Sequence, residues 1–224
     1  DEIKVLPKEE QKKWEDSLLT HILPITSKAK YMFINCRGEF FDSPHTQKMY
    51  KTIIENNPSI KVDFISNGIK CNEDNLKKFN LLDRIYKVHI SLHAAKRETY
   101  KKIFRNDKFN EVMKNIKYIS NLKKSGKIDD FEIMFVITAD NYKDMPAFVK
   151  LAEGLDARAA FSACIGGYAE YIMNRETYAV FYQNHHEYNN FVKMLKNPIF
   201  NSKNCFLPNY LRELQPVSLF ESLK

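Results

Sequence analysis

No stretch of this sequence is apolar for long enough to cross a bilayer, which takes roughly 18–20 residues. The opening DEIKVLPKEE is polar and acidic where a secretory leader would be basic and then apolar. Neither a span nor a leader is expected, and the protein is expected to be cytoplasmic. No CxxC pair occurs: Cys36, Cys71, Cys164 and Cys205 lie far apart, which argues against a zinc ribbon, a local cluster motif and a disulfide framework. No GxGxxG and no phosphate-binding P-loop occurs, so a dinucleotide or nucleoside triphosphate site of the usual kinds has no support. Nor is there a basic tract. The 35 lysines and arginines against 28 acids leave a net charge of +7, but they are spread over expected helix faces, so nucleic-acid binding draws little support from them.

What the chain does have is 44% hydrophobic residues over 224 positions, enough to bury a sizeable core in one larger domain. Helical and strand patterns alternate along it. Pro7 and the spacing of Trp14, Leu18, Leu19 and Ile22 predict a first helix ended by Pro24. Ser43-Pro44 opens a second helix, which stops near Asn56-Asn57-Pro58, and Asn72 caps a third running to Leu82. Residues 97–124 are helical with a break around Asn106-Asp107, residues 145–155 form a further helix, and residues 178–196 predict a last long one. Strands are predicted at the apolar run Met32-Phe33-Ile34 and over 60–66, 86–92, 131–138 and 159–165. The remainder, with Pro198, Pro208 and Pro216, reads as a mostly irregular tail. Such alternation implies a parallel sheet of right-handed crossovers, either doubly wound or part of a (β/α) barrel. The division that follows is a core over 1–167 and a helical or irregular extension over 168–224.

In both architectures ligands sit at the carboxyl ends of the strands. Those ends are Arg37-Gly38-Glu39, Ser66-Asn67-Gly68, Ser91-Leu92-His93, Thr138-Ala139-Asp140-Asn141 and Cys164-Ile165-Gly166-Gly167, small and polar throughout. Five such ends predict a shared binding mouth. A glycine lets backbone approach a ligand, and the adjoining Glu39 offers a carboxylate suited to a charged amine.

The series INCRGEFFDSP, VDFISNGIKCNEDNLKKF, VHISLHAAKRETYKKIF and FEIMFVITADNYKDMPAFVKLAEGL resembles the core of radical S-adenosylmethionine (radical SAM) enzymes, especially those with SPASM-like C-terminal regions. The resemblance covers most of residues 30–165. It implies an α/β fold, a partial (β/α) barrel with about five visible parallel strands and helices outside. It also implies S-adenosylmethionine as cofactor and a 4Fe-4S cluster that cleaves it to a 5′-deoxyadenosyl radical. By the same resemblance Gly38 and Glu39 receive the methionine amino group, Ser66 and Asn67 lie next to the cofactor, and Ser91 and His93 hold the ribose. Two positions depart from the family pattern. His93 stands where an aspartate is more usual and cannot offer a diol two carboxylate oxygens, and Cys36 stands where glycine is usual.

The family's CxxxCxxC loop, which supplies three thiolates to the cluster, does not occur here. The first strand and cluster loop are therefore expected to be missing, the cluster to require an upstream segment, and the chain as given to be inactive. The favoured reading is a radical SAM barrel core acting on a peptide or on a small or carbohydrate-like metabolite. The alternatives are a cluster-free binding or scaffold module and a basic nucleic-acid-associated protein. No metal site is expected: a meeting of Cys36, Cys71 and Cys164 is disfavoured because free cysteines are commonly buried as small apolar groups. His185-His186 is read as a solvated helical pair. The first strand is expected at a sheet edge covered by helix one, the C-terminal tail, or another chain, the last making a protein partner or dimer.

Overall fold

The structure, a computed structural model, describes residues 7–35, 38–164 and 175–214. Its strands are β1 (Tyr31–Ile34), β2 (Lys61–Ser66), β3 (Ile85–Ser91), β4 (Asp130–Ile137), β5 (Arg158–Ala163) and β6 (Cys205–Phe206), in the sheet order β1-β2-β3-β4-β5-β6. The helices are α1 (Lys8–Thr26), α2 (Pro44–Asn56), α3 (Glu73–Lys78), α4 (Arg97–Phe104), α5 (Phe109–Lys124), α6 (Met145–Gly154), α7 (Arg175–Tyr178), α8 (Tyr188–Leu195) and α9 (Asn209–Arg212). No helix among the described residues is long and apolar enough to cross a membrane. The chain packs as two compact units, one of Asp1–Phe64 with Glu73–Tyr86 and the other of Ile65–Asn72 with Lys87–Lys224.

The first unit is centred on Phe40. This ring is fully buried and meets Phe41, Tyr50, Phe64 and Phe79 edge-on, with centroids 5.3–5.7 Å apart. Such edge-to-face contacts orient the rings beyond what burial alone requires. Helix α2 begins where Ser43 accepts a hydrogen bond from the Thr46 amide and Pro44 fills the first turn, a start legible from Ser43-Pro44. Pro24 lies inside α1 and does not end it. A proline so near the last turn removes one backbone donor, and the helix closes through the Ser27 amide on the Leu23 carbonyl. Helix α3 is shorter than predicted: Asn80 adopts φ 53° and the Leu81 amide returns to the Leu76 carbonyl at 2.9 Å. That is a left-handed helix ending carried by asparagine instead of glycine.

In the second unit the strands alternate strictly. Phe131, Ile133, Phe135 and Ile137 of β4 and Ala159, Phe161 and Ala163 of β5 are buried on the face that α5 and α6 pack against. Lys87 and His89 of β3, Glu132 and Met134 of β4 and Arg158 and Ala160 of β5 share the opposite face, the parallel register setting Lys87 against Asp130, His89 against Glu132 and Glu132 against Arg158. The break predicted near Asn106-Asp107 is present, with Arg105 at φ 54° and a two-point Arg97–Asp107 ion pair.

Beyond α7 the predicted long helix gives way to turns, and only Tyr188–Leu195 is a full helix. His185 is the reason. It is buried at 4% exposure, its Nδ1 accepts from the Glu187 amide, its Nε2 reaches the Thr177 carbonyl, and its ring stacks on His186 at 4.5 Å. These contacts hold the turn before α8, so the pair is not helical: His185 is buried, and His186 is exposed as expected. The tail, expected to be irregular, adds β6, with Cys205 and Phe206 in register with Ala159 and Ala160. Two residues carry no periodicity to read. At the other end of the sheet order stands β1, where Tyr31 and Phe33 are 59% and 55% exposed, and no described strand pairs with its outer side.

Candidate functional site

Within the first unit, Gly38 and Glu39 follow the end of β1. Gly38 takes φ 110°, a value that favours glycine, and a side chain placed there would meet no atom within 4 Å. Backbone at this point is therefore open to approach. Glu39 is half-buried and extended, and its carbonyl accepts the Asp42 amide at 3.0 Å, starting the short 3-10 turn Phe40–Asp42. Because Phe40 is packed into the aromatic cluster, the Gly38-Glu39 pair is held by the core and not left to a loose loop. Cys36 and Arg37 lie outside the described residues.

Within the second unit, Ser66 is buried and its Oγ accepts the Gly68 amide at 3.0 Å, while Asn67 Oδ1 accepts the Ile69 amide at 2.9 Å. These are side-chain turns that use serine and asparagine in their ordinary way. Asn115 fixes the turn from outside: its Nδ2 donates to the carbonyls of Gly68 and Ile69 at 2.9 and 2.8 Å. Nothing in the strand pattern pointed to Asn115, but an asparagine one helical step from Val112 and beside Ile116, inside an apolar stripe, is a readable anomaly.

Gly68 is required twice over. It sits at φ 81°, and a Cβ there would lie 2.9 Å from Ile90 Cγ2 and 3.0 Å from Val112 Cγ1, both in the core. Gly68→Ala is expected to lower stability by about 2–4 kcal/mol, from left-handed strain plus overpacking. Urea unfolding checks this; a loss under about 0.5 kcal/mol would show that the turn relaxes freely.

Ser91 and His93 end β3. Ser91 is half-buried on the same face as His89, and His93 takes φ 54°, unusual for a residue with a side chain. The His93 amide donates to Met134 O at 3.0 Å, and its Nδ1 accepts the Val136 amide at 3.1 Å, so the imidazole carries on the β3–β4 link after the backbone ladder stops. Burial pushes its pKa down to about 4, against the upward pull of the Met134 carbonyl. Asn141, 1% exposed, completes the join: Nδ2 donates to His93 O at 3.0 Å and Val136 O at 2.9 Å, and Oδ1 accepts the Thr138 amide at 2.8 Å and the Thr138 hydroxyl at 3.2 Å. Asp140 pairs with Lys102 at 2.6 Å. The strand ends at Ser66-Asn67, Ser91-His93 and Thr138-Asn141 are thus positioned by one unit, and Gly38-Glu39 by the other.

Of the cysteines, Cys71 is fully buried and Cys164 half-buried, while burial raises the Cys205 thiol to about 11. Among the described residues no three His, Cys, Asp or Glu side chains are grouped so as to hold a metal ion. Gly166, Gly167, Tyr168 and Tyr171 lie outside the described residues.

No known family model matches the sequence, and no curated protein matches it either. Solved structures do match. One, described as native anSMEcpe with bound AdoMet and Kp18Cys peptide, aligns with a TM-score of 0.53 at 15% identity, over 83% of this chain and 52% of that one. The chain thus spans about half the length of this neighbour. At such identity the likeness speaks for the fold: six parallel strands in an open α/β sheet, as in a partial (β/α) barrel of the radical SAM type.

Proposed function

We propose that this chain is the S-adenosylmethionine-binding core of a radical SAM-like protein, with the ligand held at the carboxyl ends of the strands. The observation that supports this most is the likeness in fold to a structure that itself carries AdoMet. In this reading Glu39 takes the methionine ammonium beside the open backbone of Gly38, a charge-assisted contact. Ser66 and Asn67 flank the cofactor, and Ser91 and His93 hold the ribose. With Nδ1 of His93 engaged by Val136, only Nε2 is left to meet a ribose hydroxyl. The substrate class in this reading is a peptide or a small or carbohydrate-like metabolite.

The residues present do not fit a 4Fe-4S cluster. The sequence has no CxxxCxxC, and the described residues bring no metal-holding group together. A cluster would have to come from a segment outside this sequence. That same lack of thiolates favours a second reading, a binding module that keeps the ligand and dispenses with the chemistry.

Calorimetric titration with S-adenosylmethionine tests the shared part of both readings. Saturable binding is expected, weakened about tenfold in Glu39→Gln, which keeps the shape and removes the charge. Wild-type protein that takes up no S-adenosylmethionine, or a Glu39→Gln variant that titrates unchanged, defeats the proposal. Release of 5′-deoxyadenosine under anaerobic reducing conditions by the protein as produced in its own cell separates the enzyme from the binding module.

A further inference from the structure

The second unit carries a hollow of about 320 Å³ that the strand-end site does not use, on the face of the sheet away from α5 and α6. Lys87, Glu132 and Arg158 line its charged part, and Met134, Ala160 and Phe206 its apolar part. Lys87, Asp130 and Arg158 stand toward the amino ends of β3, β4 and β5. Lys87 precedes Ser91 by four residues, so the charged part lies about 13 Å along the strand from the β3 carboxyl end. The side chains of Lys87 and Glu132 are largely buried, at 19% and 12% exposure, while Arg158 and Asp130 are more open, at 39% and 34%.

Counting donors and acceptors shows what the cluster lacks. Each of the four carboxylate oxygens already accepts a hydrogen bond. Asp130 Oδ1 takes the Phe131 amide at 2.9 Å and Oδ2 takes Arg158 Nη2 at 2.5 Å. Glu132 Oε1 is 2.8 Å from His89 Nδ1, and Oε2 takes Arg158 Nε at 3.1 Å. The donors are not used up to match. Arg158 spends one Nε and one Nη2 hydrogen and keeps the rest of its fork. Lys87 Nζ stands 3.6 Å from Asp130 Oδ2 and from Glu132 Oε2, near enough for attraction and too far for a hydrogen bond. The Lys87 ammonium and part of the Arg158 guanidinium border a hollow whose remaining wall is mostly apolar, with Ser162 adding a hydroxyl.

We propose that the hollow binds a carboxylate carried on a short apolar body, with the carboxylate taken by Lys87 and Arg158 and the body laid along Met134, Ala160 and Phe206. The volume suits a ligand of amino-acid size. A ligand carboxylate gives Lys87 Nζ and the unspent part of the Arg158 fork the close acceptor they lack. Either a free small acid or the C-terminus of a peptide presents this chemistry. The charged end lies away from the strand ends proposed for S-adenosylmethionine, while Met134, in register with Ser91, borders them.

The test is ¹H–¹⁵N NMR titration with N-acetylleucine, with a blocked hexapeptide ending in leucine and a free carboxylate, and with the amide of each. Saturable shifts at the amides of 130–134 and 158–162 are expected from at least one acid, with its amide at least about tenfold weaker. Response to the small acid alone identifies a metabolite-type ligand, and response to the peptide alone a peptide terminus; both support the site. Lys87→Met removes a donor that makes no hydrogen bond among the described residues, and Ala160→Leu fills the hollow without touching a charge. Each is expected to weaken binding about tenfold while circular dichroism stays unchanged. No saturable shift from either acid, amides that bind as well as acids, or two folded variants that bind like wild type would overturn the proposal.

Discussion

Asn141→Ala is expected to lower the unfolding free energy by about 3–5 kcal/mol. Asn141 is 1% exposed and serves four partners, two carbonyls through its amide nitrogen and the Thr138 amide and hydroxyl through its oxygen. Alanine leaves the His93 and Val136 carbonyls and the Thr138 amide short of partners where water has little access. Each stranded group costs about 1–3 kcal/mol. Asn141→Asp is the sharper control. It keeps the acceptor facing Thr138 but turns a carboxylate toward two carbonyls, so it is expected to destabilise at least as much as alanine. Urea unfolding of both variants decides the matter. If Asn141→Asp is as stable as wild type, the donor contacts to His93 and Val136 do not hold the strand ends together.

Acidification is expected to remove about 2–3 kcal/mol of stability between pH 6.5 and pH 4.5, through His93. Its ordinary value is 6.5 and its value in the folded protein about 4. Between those limits the unfolded chain binds a proton at this position and the folded chain does not, so the contribution is complete above pH 6.5 and is lost as pH falls toward 4. Protonation would also take the lone pair that Nδ1 offers to the Val136 amide. Lowered carboxylates follow a different course. Glu132 is pushed up by burial but held below the ordinary range by the His89 hydrogen bond and by the charges of His89, Lys87 and Arg158, and its contribution fades only below about pH 4.5. His93→Asn, which tolerates the left-handed backbone, is expected to flatten the upper part of the profile. Melting curves from pH 7 to pH 4.5 would show it; an equal slope in wild type and variant would place the transition elsewhere.

Parts of this architecture were legible because they are local. The alternation of FEIMFVIT and the stripe of Val112, Ile116, Ile119 and Leu122 each report which side of an element meets the core, and β4 and α5 formed as read. The starts and stops were less legible, since the chain has only 6 glycines and gives left-handed positions to Asn80, His93, Arg105 and Asp156. Asparagine ends helix α3 where glycine would have announced the ending, whereas α6 stops at Gly154 as read, with Asp156 taking the left-handed position after it. Residues 178–196 read as one helix because their apolar spacing permits it, but the buried hydrogen bonds of His185 outweigh propensity there.

The sequence by itself determined the class of fold, the order of strands and helices, and the small polar strand ends at Gly38-Glu39, Ser66-Asn67 and Ser91-His93. Each depends on residues near one another in the chain, where periodicity and turn chemistry act. Only the tertiary structure decided that β6 extends the sheet, that Asn141 joins two strand ends, and that Lys87, Asp130, Glu132 and Arg158 meet over one hollow. Those contacts span dozens of residues and depend on strand register, and register is set by packing across the whole sheet, not by any one stretch of it.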